Sequence, residues 1–172
     1  MTTPLRADEA RVTAELDQLR ARLREVTDRL EIRELFDRYV VALDTVCERG
    51  YGDDWFRSVF TEDAQFVFPI GTHRGVRGFA AFQREARSWW EGTHHVSANH
   101  LVELDGDRAT LRAHQLATHV HGPGGPEEHF RVGGHSEVRA VRTAAGWRFH
   151  RLVFRIAWTS GEPLESMRGV DF

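Results

Sequence analysis

The chain has 172 residues, 41% of them apolar and 28% charged, with a formal net charge of −3 and a pI near 6.4. One domain of this size buries roughly two-thirds of its unfolded surface without a disulfide or metal staple, and the single cysteine, Cys47, points to a reducing, cytoplasmic setting. The near-neutral charge argues against a nucleic-acid binder, and no stretch reaches the ~20 apolar residues of a membrane span or the apolar run of a signal peptide.

Between Asp8 and Cys47 there is neither Pro nor Gly, and Ala, Leu, Arg and Glu dominate, which predicts helix. Val12, Leu16, Leu19, Leu23, Val26 and Leu30 are spaced alternately by four and three residues, the narrow seam of a coiled coil. The phase then shifts. Ile32, Leu35, Phe36, Tyr39, Val40 and Leu43 form a wider stripe suited to closing a domain core. The earlier part therefore reads as an arm that pairs with another subunit, or as one limb of a helical hairpin. After Gly50 and Gly52, DDWFRSVF (residues 53–60) predicts a short helix and AQFVFPI (64–70) a strand; Gly71, Gly75 and Gly78 mark turns before an amphipathic helix over 79–90. From His94 the pattern is β, with strands over 94–104, 108–120, 129–141 and 147–158. Helices followed by a meander predict an α+β domain whose curved antiparallel sheet wraps around the helices.

The series LEIRELFDRYVVALD, DDWFRSVFTEDAQF, THHVSANHLVELDGDRAT and VRTAAGWRFHR resembles the SnoaL-like branch of the nuclear transport factor 2-like superfamily, close in pattern to scytalone-dehydratase-type proteins. The resemblance covers residues 28–161, leaving a helical extension at 1–27 and a tail at 162–172. It implies a cone-shaped α+β barrel whose open end holds a small, mostly apolar ligand, with acid/base chemistry that needs no cofactor. One scaffold of this kind hosts dehydratases, isomerases, cyclases and plain binding proteins, so the reaction must be argued from the site.

The acid/base pair that the resemblance implies falls on Asp44 and His95. A carboxylate at the end of an apolar stripe needs a partner, and an imidazole held by it in one tautomer can shuttle a proton. His94 is the rival ring, since strand alternation lets only one of the two face inward. Alternation from His95 puts Asn99 on the same face, as an amide that orients a substrate oxygen or ends strand pairing at a bulge. Tyr39, five residues before Asp44, either packs in the core or offers a hydroxyl to a ligand. His119 is the third catalytic candidate, from the alternation Ala109, Leu111, Ala113, Gln115, Ala117, His119 and from likeness to a family segment, unless a bulge turns it outward. The spacing of His119 and His121, with His114 and His135, raises metal binding, but no Gly-rich lead-in accompanies it and no metal is expected. Phe68, Trp90 and Trp158 are the expected apolar walls. These residues point to a small hydrophobic substrate, polyketide, aromatic or steroid-like, that is dehydrated or isomerised next to a carbonyl. A cyclase or a non-enzymatic carrier is the alternative, and a homo-oligomer, dimer or trimer, is the expected assembly.

Overall fold

The computed structural model describes residues 4–122, 125 and 128–164. The expected tail therefore lies mostly outside the described residues. With no Gly or Pro to interrupt its ladder after the first turn, the N-terminal region forms one helix, α1 (Pro4–Thr45), roughly 60 Å long, so no hairpin forms. The two apolar stripes have different fates. Val12 through Leu30 stay between 46% and 67% exposed, whereas Ile32, Leu35, Phe36, Tyr39 and Val40 are buried. The body takes hold of α1 at Asp28, whose carboxylate accepts from Arg142 (2.6 Å) and from the Trp147 indole (3.1 Å), and at Arg29, which donates to the Val102 carbonyl.

Helix α2 (Asp53–Arg57) is shorter than its sequence suggested, because Phe60 already opens strand β1 (Phe60–Phe68) and is buried against Phe149 of the last strand. Strand β2 (Gly71–Arg74) pairs back on β1; its four residues are too few to show alternation, and the glycines around it read only as turns. Helix α3 (Phe79–Ser88) follows Gly78, whose φ of 80° suits glycine. Its first turn is capped from α2: Asp53 accepts from the backbone N–H groups of Gly78 (2.7 Å) and Ala80 (3.1 Å), which holds the Asp53 carboxyl below its ordinary pKa.

Strands β3 (Gly92–Asp105), β4 (Arg108–Val120), β5 (Phe130–Thr143) and β6 (Gly146–Ser160) form the expected antiparallel meander. The sheet order is β2-β1-β6-β5-β4-β3, with β1 parallel to β6, so the sheet is mixed where an antiparallel one was expected. Joined through helix α3 and the whole meander, β1 and β6 escape the constraint that makes hairpin neighbours antiparallel. On the inner face, Leu111, Val138, Ala140, Phe149 and Leu152 pack against α1 and against a cluster of rings in which Phe66 and Phe79 stack at 3.7 Å. A smaller cluster of Trp90, Ala117, Phe130 and Val132 closes the other end.

Candidate active site

Where the two clusters meet, the inner face is not filled. A cavity of about 130 Å³ lies between the last turns of α1, helix α3 and the inward residues of β3 to β6. Its wall is mostly apolar, with Leu43, Phe68, Ile70, Phe82, Trp90 and Ile156 among the lining residues, and His95 and His119 face into it.

Asp44 sits in the last turn of α1, where the negative end of the helix dipole disfavours a carboxylate, so its charge must be balanced from elsewhere. Strand β3 supplies the balance. Asp44 Oδ1 accepts from His95 Nδ1 (2.6 Å) and from the Thr93 hydroxyl (2.8 Å), while Oδ2 accepts from the His95 backbone N–H (2.8 Å). Burial works to raise the pKa of Asp44, but the hydrogen bonds and charge of His95, with Thr93, outweigh it and leave the carboxyl below its ordinary value. An ionised carboxylate only accepts, so the proton of this bond is carried by His95 Nδ1. In the neutral ring Nε2 is then the atom with the free lone pair.

His119, opposite Thr93 in the β3–β4 register, presents its ring edge-on to His95 at 86° with centroids 5.6 Å apart. Burial, with the neighbouring His95, pushes its pKa down from 6.5 to about 4, so His119 is neutral near pH 7. Its Nδ1 is buried without a hydrogen bond of good geometry, as is the Tyr39 hydroxyl, whose pKa burial raises while Gln83 nearby works against the rise. Two imidazoles in different settings result. One is hydrogen-bonded to a carboxylate, and the other is held uncharged in the wall.

Residues 24–153 match the SnoaL-like domain family. The chain is a SnoaL-like domain protein. Among solved structures it is similar to the Kfla4162 protein of Kribbella flavida, with 30% identity over 84% of this chain and 99% of that one and a TM-score of 0.71. An NTF2-like protein with a cystatin-like fold from Novosphingobium aromaticivorans shares 26% identity over 91% of this chain and 97% of that one, with a TM-score of 0.65. A protein provisionally named a scytalone dehydratase, from the same organism, shares 19% identity over 84% of this chain and 91% of that one, with a TM-score of 0.66, and shows the same fold. No curated protein matches.

Two of the expected site residues of this SnoaL-like protein lie elsewhere, each because of a bulge. In β3 the register steps from Ala98 opposite His114 to Leu101 opposite Arg112, and Asn99 takes a left-handed φ of 56°. Its side chain is thereby turned outward, where Nδ2 meets His114 Nδ1 at 3.0 Å, and His100 takes the inward place against Phe36. In β6 an extra residue, Ala157, separates Ile156 opposite Gly134 from Trp158 opposite Gly133. Ile156 lines the cavity, while Trp158 is half exposed and lies over Gly133, where a Cβ would come within 2.1 Å of the indole. Tyr39, Phe68 and Trp90 do line the cavity, and His94 is exposed. His114 and His135 face each other on the outer surface of the sheet, and among the described residues no group of three or more His, Cys, Asp or Glu is placed to hold a metal ion.

Sequence reasoning missed Thr93, Gln83, Arg87 and the lining role of Gln115. Thr93 and Gln115 share the parity of His95 and His119 on their strands, so alternation could have found both. Gln83 and Arg87 sit one turn apart on α3 beside Phe82 and Ala86, and nothing in the polar spacing of that helix marks them. Arg87 donates to the Trp90 carbonyl (3.0 Å) and pairs with Glu48 (3.4 Å), which ties α3 to the end of α1.

Proposed function

We propose that the protein is a cofactor-independent acid/base enzyme that dehydrates a small hydrophobic hydroxy-carbonyl compound or isomerises its double bond. The observation that carries the reading is the 2.6 Å contact of His95 Nδ1 with Asp44 at the wall of an apolar cavity. His95 Nε2 takes the proton from the carbon next to the carbonyl, and Asp44 stabilises the imidazolium that forms. In a dehydration the C–H electron pair becomes the new double bond, the C–O bond breaks, and the proton returns from His95 to the departing hydroxyl as water. In an isomerisation the same proton returns to a different carbon. Neutral His119 and the Tyr39 hydroxyl offer hydrogen bonds to the oxygen on which charge develops, without the cost of removing an ion from water. Phe68, Trp90 and Phe82 favour a flat apolar ring. Attack of the same enolate on a second carbonyl within the substrate gives a cyclase, the nearest alternative.

The test is turnover of a panel of β-hydroxy ketones on single-ring aromatic frames, the size a cavity of about 130 Å³ holds, followed by loss of water or by double-bond migration. The expected result is conversion by the wild type and its loss in His95→Ala, with binding of the same compound retained. Conversion by His95→Ala at the wild-type rate overturns the assignment.

A further inference from the structure

We infer that the projecting part of α1 is a self-association element, in which residues 8–30 pair antiparallel with the same segment of a second copy of this chain. Most helical stability comes from packing one face, and a lone helix of this length is marginal in water. Yet Val12, Leu16, Leu19, Leu23, Val26 and Leu30 are all exposed on one seam. At 100° per residue that seam lies roughly 150° around the helix from the stripe of Ile32, Phe36 and Tyr39 that enters the body. A second helix laid on the seam therefore does not meet the body to which the first belongs.

The charges beside the seam name the occupant and its direction. Along one edge, immediately before the seam positions, stand Asp8, Glu15, Arg22 and Arg29, acidic in the first half and basic in the second. Antiparallel self-pairing sets Glu15 against Arg22 and Asp8 against Arg29 of the other copy, and two-fold symmetry repeats each pair. Arg29 also donates to Val102, and its guanidinium has further N–H groups to share. The other edge holds Thr13, Arg20 and Thr27, with no like-charge meeting in this arrangement. In a parallel pair only Glu15 and Arg20 would complement each other along the free arm. Parallel pairing also stacks Val12 on Val12 and Val26 on Val26, at the position where parallel dimers prefer leucine, whereas antiparallel pairing sets Val12 against Leu23 and Leu16 against Leu19 and leaves Val26 against Glu9 only at the end of the pair.

The full-length chain, followed by sedimentation equilibrium at low salt, tests this. The expected result is a dimer that Leu16→Glu/Leu23→Glu weakens by about 100-fold or more, with the near-UV spectrum, whose aromatic residues all lie outside residues 8–30, unchanged. Glu15→Arg weakens association by about tenfold, Glu15→Arg/Arg22→Glu restores it, and Glu15→Arg/Arg20→Glu does not. Wild-type mass retained by the double leucine variant, a monomeric wild type, or rescue by Arg20→Glu in place of Arg22→Glu overturns the proposal.

Discussion

The same four strands build two different interiors. Toward one end of the sheet the inward positions hold Val102, Leu111, Val138, Ala140 and Phe149, all buried in one continuous cluster with the rings of α1 and α3. Toward the other they hold His95, Gln115, His119 and Ile156 around a cavity. The contrast is one of side-chain volume and polarity at equivalent positions, and it places the cavity where packing stops. Substitutions at the two ends should then fail in different ways.

The largest expected effect is at the hollow end. His95→Ala should lower turnover by about 10²–10⁴ and also lower the thermal midpoint, since the half-buried Asp44 carboxylate loses the side chain that balances its charge. Steady-state rates beside a melting curve check both halves of the statement. At the filled end Phe60→Ala should cost about 3–5 kcal/mol in urea denaturation, and Phe82→Ala at the cavity wall distinctly less. Equal costs would erase the distinction between the two interiors.

Acid separates them further. The pKa of His119 is lowered from 6.5 to about 4 in the folded chain, so between those values the unfolded chain binds more protons and stability falls as pH falls. The contribution reaches at most about 3 kcal/mol, and His119→Gln should flatten the pH dependence of stability across that window. Asp44 acts lower down: its depressed pKa adds stability above the ordinary carboxylate range that is lost as pH falls through the folded value. The smallest effects belong to the outer face. Asn99→Ala should cost only about 1–2 kcal/mol, from its left-handed backbone, and Trp158→Ala should leave turnover unchanged. A fall in turnover for either variant would put the outer surface in communication with the cavity.

Much of the fold was legible because it rests on period. The phase change in α1 at Leu30 separates an exposed seam from a buried stripe, and alternation from Ala109 put His119 on the inner face of an undisturbed strand. Asn99 and Trp158 went wrong for the complementary reason, since one inserted residue reverses every later side chain and leaves no mark in the apolar pattern. The parallel partnership of β1 with β6 was equally invisible, being a choice between edges separated by most of the chain.

Composition and spacing by themselves determined the long helix, the meander and the parity of its unbroken strands, because these depend on neighbours a few residues apart. The pairing of Asp44 with His95 came from the family resemblance and not from spacing, and only the tertiary structure makes it a contact, since the two are 51 residues apart and join where α1 crosses β3. The tertiary structure also decided where the interior stays empty, because a cavity is the residue of every packing contact made around it.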